Sequence, residues 1–103
     1  MYPYERCLFY NKFILCFSFK FETIELRNST TLTLLKILNY EHNKYGRCFT
    51  VLEYNNRILL GCECGVLELD YRPFKIHLVY RRKYSVHYLE KINNRFLLVG
   101  GKY

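Results

Sequence analysis

The sequence predicts an all-β chain of repeated, antiparallel four-stranded units, and three observations carry that prediction. Its composition favours pleated, half-buried surfaces: eleven Tyr and eight Phe stand among 103 residues, with two Pro and no Trp, and aromatic side chains pack well on strands. A short polar-then-apolar block recurs along the chain, which is the mark of a repeat architecture. The apolar runs are of strand length, and they are either continuous or alternating.

The repeat has two landmarks. Tyr54-Asn55-Asn56-Arg57-Ile58-Leu59-Leu60-Gly61 is echoed 38 residues later by Ile92-Asn93-Asn94-Arg95-Phe96-Leu97-Leu98-Val99, and a fainter copy, Tyr10-Asn11-Lys12-Phe13-Ile14-Leu15, precedes both. The second landmark, Thr23-Ile24-Glu25-Leu26-Arg27, recurs 43 residues on as Val66-Leu67-Glu68-Leu69-Asp70. Loop insertions explain the uneven spacing, and the longest connection, Asn39 to Gly46, is polar as a surface loop should be.

In the first unit, the apolar stretch after Asn11-Lys12 and the alternating Thr23 to Arg27 read as consecutive strands. Leu32 to Tyr40 then takes the place of a fourth strand. A helix competes for this stretch because Leu34, Leu35 and Leu38 share a helical face, but Thr30, Thr31 and Thr33 disfavour it.

The second unit is the clearest. Arg47 to Leu52 is β-branched and aromatic enough for a strand, and Asn55-Asn56 suits a tight hairpin because Asn tolerates positive φ. Ile58 to Cys62 returns, Gly65 supplies a second turn, Val66 to Leu69 makes a third strand, and Phe74 to Tyr80 a fourth after a turn holding Asp70 and Pro73. In the third unit only Ser85 to Leu89 and the Asn94 to Val99 stretch remain. Continuous runs such as Ile58-Leu59-Leu60 predict a strand covered on both faces, whereas Phe74/Lys75/Ile76/His77/Leu78 alternates. Small sheets stacked face to face around an axis produce that fall in burial from the second strand to the fourth.

At this point the residues resemble WD40-type β-propeller repeats. Ser85-Val86-His87-Tyr88-Leu89 with Asn94-Arg95-Phe96-Leu97-Leu98-Val99-Gly100-Gly101 is similar to the first half of such a repeat. The stretch from Ile58 to Asp70 resembles the second half, with Leu69-Asp70 and Leu26-Arg27 where the family places Trp-Asp. Part of that stretch, Leu59 to Val66, is also similar to citron-homology and sensor-type propellers. The resemblance implies a single partial propeller domain over 1–103, with approximate blades at 4–38, 46–80 and 84–103: two blades plus the first two strands of a third. Such rings close with about four to eight blades, so the expectation is a fragment of a longer protein or a chain that completes itself by self-association through open blade edges. It also implies a non-catalytic scaffold that binds other proteins, through rims and loops such as Asn39 to Gly46 and Arg81 to Tyr84.

The formal charge of +7 favours phosphates, anionic lipid or acidic proteins. Basic residues are scattered from Arg6 to Lys102, and the one tight cluster is Arg81-Arg82-Lys83. Tyr80-Arg81-Arg82-Lys83 is similar to the Phe-Arg-Arg-Gly motif of phosphoinositide-binding propellers, with Lys83 in place of the Gly. Arg81, Arg82 and Lys83 are therefore the candidate contact for an anionic lipid, a nucleic acid or a partner, and a solvated loop is the plainer reading.

Five cysteines, Cys7, Cys16, Cys48, Cys62 and Cys64, make an odd count, and the N-terminus has no signal-peptide pattern, so a reducing, cytoplasmic setting is expected. Cys48, Cys62 and Cys64 lack the spacing of a zinc site and read as small buried thiols. The most apolar segment, Cys7 to Phe21, is interrupted by Asn11, Lys12 and Lys20 and is too short to span a membrane. His42, His77 and His87 fall in separate places, with no nucleophile and base at a telling distance; His87 is a candidate structural histidine of the WD40 kind. No catalytic residue, cofactor or metal is expected.

Overall fold

In the computed structural model, which describes residues 6–10, 12–19, 22–39, 42–70, 72–95 and 97–101, tight turns fold the chain back on itself and, within each sheet, every strand pairs with the next. The chain divides into two compact units, 1–41 and 42–103. Asn11, Lys20, Phe21, Tyr40, Glu41, Phe96 and Lys102, which carry parts of the sequence expectations, lie outside the described residues.

The first unit is a four-stranded antiparallel sheet in the order β1 (Arg6–Tyr10), β2 (Phe13–Ser18), β3 (Thr23–Asn28), β4 (Leu34–Asn39). The apolar run on β2 is buried from Leu15 to Ser18, whereas β4 is exposed along almost its whole length. β4 is a strand and not the competing helix. Alternation along β3 sends Ile24 and Leu26 to one face and Glu25 and Arg27 to the other. Glu25 is buried, and the Arg27 guanidinium satisfies it, Nε and Nη2 both lying 2.8 Å from its Oε1. A register shift between Leu26 and Arg27 marks where β4 leaves regular pairing with β3.

The second unit opens with a one-turn helix, α1 (His42–Tyr45), and repeats the meander as β5 (Cys48–Tyr54), β6 (Arg57–Cys62), β7 (Gly65–Asp70) and β8 (Lys75–Arg81). The hairpin between β5 and β6 is the two-residue turn that Asn55-Asn56 predicts, with φ of 50° and 62° and Tyr54 paired to Arg57. Two positive φ values in succession are what a type I′ turn requires, and they match the twist of the flanking strands. Gly65 begins β7 at φ 142°, where any side chain would run into the Tyr80 carbonyl.

β9 (Tyr88–Lys91) and β10 (Leu97–Gly100) form a separate two-stranded sheet. It lies over one face of the β5–β8 sheet, where Val86 and Leu89 join Tyr54, Leu59 and Val66 in one apolar cluster flanked by Leu52 and Val99. Main-chain and side-chain hydrogen bonds fix it there: the Val86 amide donates to the Cys62 carbonyl at 2.9 Å, and the Asn55 side-chain amide donates to the Asn94 carbonyl at 2.8 Å. The opposite face of the β5–β8 sheet carries Val51, Ile58, Leu60, Leu67 and Leu69, all buried.

Asn93-Asn94, the echo of Asn55-Asn56, lies in a longer connection, because Lys91 pairs with Leu97 and the side chain of Asn93 accepts from the Arg95 amide at 2.8 Å. Two features differ from the sequence reading. The polar connection after β4 contains α1, whose Tyr45 is buried. Cys48 and Cys62 are buried as expected, yet they are joined in a disulfide across β5 and β6. That bond is hard to reconcile with a reducing cytoplasm. Among the described residues, no helix is long and apolar enough to cross a membrane.

Candidate functional site

The densest group of polar side chains in the second unit lies on β6, β7 and β8. Alternation along β7 puts Glu68 and Asp70 on one face, and the β7–β8 register sets Glu68 opposite His77 and Asp70 opposite Lys75. Arg57, at the start of β6, reaches the same carboxylate: its Nε and Nη2 donate to Glu68 Oε2 and Oε1, each at 2.8 Å. Both oxygens are thus held by one guanidinium fork, the strongest form of this pairing. The hydrogen bond from Arg57 holds the Glu68 carboxyl below its ordinary range, against the opposing effect of burial, and the same bond raises Arg57.

His77 completes the group. Its Nδ1 lies 2.9 Å from Asp70 Oδ2, and its Nε2 lies 3.6 Å from Glu68 Oε1. Glu68, Asp70 and His77 carry donor atoms close enough to consider a cation. Two facts argue for a charge network instead: the two imidazole nitrogens face different carboxylates, and Arg57 already occupies Glu68. Sequence spacing did not reveal this group, although Glu68, Asp70 and His77 all lie on strands whose alternation is legible.

Beside the network a hollow of about 310 Å³ opens, lined by Tyr54, Arg57, Leu59, Val66, Tyr80 and Val99. Its walls come from the β5–β8 sheet and from β10, and Arg57 belongs to both the network and the hollow. Its volume falls at the small end of the range for ligand sites, enough for one inserted side chain. Val79 and Tyr80, at its margin, are exposed.

The sequence-predicted contact residues follow directly. Arg81 closes β8 opposite Gly65 and is exposed; Arg82 is half-buried, its amide donating to the Cys64 carbonyl at 2.8 Å; Lys83 is exposed, its ammonium 5.6 Å from the centre of the Tyr84 ring. The three are contiguous in the chain but differ in setting, the middle one drawn toward the protein and the outer two facing water. His87 is exposed and stacks on Phe49 with ring centres 4.1 Å apart. Comparison with protein-family models, with curated proteins and with solved structures finds no match.

Proposed function

We propose that this chain is part of a WD40-like propeller and acts as a non-catalytic scaffold for other proteins. The observation that carries the reading is the repetition of one sequential meander, β1 to β4 and then β5 to β8, with β9 and β10 stacked on the second copy. A sheet that repeats in this way and buries its inner strands presents its connections and outer strands as contact surface. The segments offered are the connection containing α1, the loop from Arg81 to Tyr84, and the exposed pair Val79 and Tyr80 beside the hollow. Photo-reactive residues placed at Lys44 and Lys83, with samples kept in the dark for comparison, test this in cells. Discrete covalent partners at the two loop positions are expected; labelling no different from the dark samples rejects the scaffold reading.

A second reading rests on Arg81, Arg82 and Lys83 as a phosphate contact for anionic lipid or nucleic acid. Three neutralised phosphates on a single strand give a salt slope of roughly two in log–log form. Phosphatidylserine vesicles and single-stranded RNA, titrated at several salt concentrations, measure it. Binding that is undetectable at low salt, or unchanged when all three residues become Ala, removes this reading. A cytoplasmic setting is consistent with the scaffold only if the Cys48–Cys62 bridge forms conditionally, which alkylation of free thiols in intact cells determines.

A further inference from the structure

Three cysteines are free: Cys7 is exposed, Cys16 is buried and Cys64 is half-buried. Two of them are not isolated. Cys7 and Cys16 are direct partners in the β1–β2 ladder, and on an antiparallel ladder directly opposed Cα atoms stand about 4.5–5.5 Å apart, within the span of a disulfide. Opposed residues also point to the same face, so both sulfurs lie on one side of the sheet. The two thiols are near enough to influence one another, since Cys7 helps to raise the Cys16 thiol.

A second observation is independent of that geometry. The other four-stranded sheet also carries a cysteine pair between its first and second strands, nearer the far end of the hairpin, and there Cys48 and Cys62 are directly opposed and bonded. Burial alone explains a small thiol such as Cys16. It does not explain Cys7, which lies exposed on an edge strand directly against it.

We propose that Cys7 and Cys16 form a redox-active dithiol that closes into a cross-strand disulfide by exchange with a low-molecular-weight disulfide such as oxidised glutathione. The Cys7 thiolate attacks one sulfur of that disulfide and expels a glutathione thiolate, leaving a mixed disulfide on Cys7. Cys16 then gives up its proton and attacks Cys7 Sγ, expelling the second glutathione as thiolate. Two protein thiols are oxidised, one disulfide is reduced to two thiols, and the two protons released pass to the departing thiolates. The order follows from exposure: Cys7 meets the solvent oxidant, and Cys16 resolves. Burial first, and then the hydrogen bond to Cys7, pushes the Cys16 thiol up to about 12, which keeps it from reacting on its own. Closure fastens β1, an edge strand, to β2.

The sequence makes the test direct. Trypsin cleaves after Arg6, Lys12 and Lys20, so Cys7 and Cys16 fall in separate peptides, Cys7 to Lys12 and Phe13 to Lys20, which only a disulfide can hold together. The full chain is exposed to oxidised glutathione, quenched in acid, alkylated and mapped by mass spectrometry. The expected result is the linked pair of peptides in the wild type, a glutathione adduct retained on Cys7 in Cys16→Ala, and an unmodified Cys16 in Cys7→Ser. Far-UV circular dichroism confirms that each variant keeps its β signal; if Cys16→Ala does not, Cys16→Ser replaces it, and the wild-type map decides alone if neither folds. Separately alkylated Cys7 and Cys16 in the treated wild type, or a stable glutathione adduct on Cys7 beside a free Cys16, overturns the proposal. So does modification of Cys16 in Cys7→Ser at the rate seen in the wild type.

Discussion

Gly61 shows how closely one residue can govern the second unit. It lies on β6 beneath the segment that enters β9, and a Cβ built there would stand 2.7 Å from the Val86 carbonyl oxygen and 2.8 Å from Thr50 Cγ2 and Val86 Cγ1. Val86 is fully buried, and its amide is tied to the Cys62 carbonyl. Neither the carbonyl nor the methyl has room to retreat, so one added methyl must lift the β9–β10 sheet from its support. Gly61→Ala is expected to cost roughly 1–3 kcal/mol, the range for overpacking a filled core, read as a lower urea midpoint. A midpoint equal to that of the wild type would mean that Val86 does not cap this sheet. The same scale explains why the paired cysteines differ in how readable they were. Cys7 and Cys16 follow in unbroken register from the Tyr10–Phe13 pair. Cys48 and Cys62 do not follow from the turn at Asn55-Asn56, because a register shift between Cys48 and Thr50 is what sets Cys48 opposite Cys62.

At the scale of elements, the β7–β8 hairpin and Arg57 on β6 form one electrostatic unit, and its pH dependence has a definite sign. Glu68 has a depressed carboxyl in the folded chain, first through its hydrogen bond to Arg57. A depressed acid contributes stability above its ordinary unfolded value and loses it as pH falls through the folded one, so the window lies below about pH 4.3. Arg57 is half exposed, so the contribution is limited to about 1 kcal/mol or less. Glu68→Gln should therefore lower the urea midpoint slightly at pH 7, with the difference from the wild type shrinking as the pH falls through the depressed folded value. A difference that persists unchanged in acid would assign the effect to packing. The strands of this hairpin were visible in the sequence from alternation at Leu67/Glu68/Leu69 and Phe74 to Leu78, as was the turn at Asn55-Asn56. Which carboxylate faces His77 was not, because strand register belongs to the pairing of two elements, here set by Asp70 opposite Lys75. The echo at Asn93-Asn94 does not repeat that turn, because Lys91 and Leu97 set the pairing there.

For the molecule as a whole, the decisive property is that its sheets are open. In the first unit the outer strands carry exposed apolar side chains, with Phe9 on β1 73% exposed and Ile37 on β4 54% exposed; on β8 of the second, Val79 is 39% exposed. Edges of this kind pair with other chains unless charge, proline or a bulge blocks them. Because β1 and β4 are different edges of one sheet, a contact between β4 of one copy and β1 of the next is head-to-tail. It closes into a ring if the rotation per copy allows and otherwise grows without limit. Sedimentation velocity over about a tenfold range of concentration separates these outcomes. The expected result is a mass that rises with concentration to one discrete assembly in the wild type, and a shift toward monomer in Ile37→Lys, since an edge lysine is a natural block to strand pairing. Unlimited growth would leave open edges without ring closure, and a monomer at every concentration would show that neither edge is a contact surface, so that the β sheets are complete as they stand.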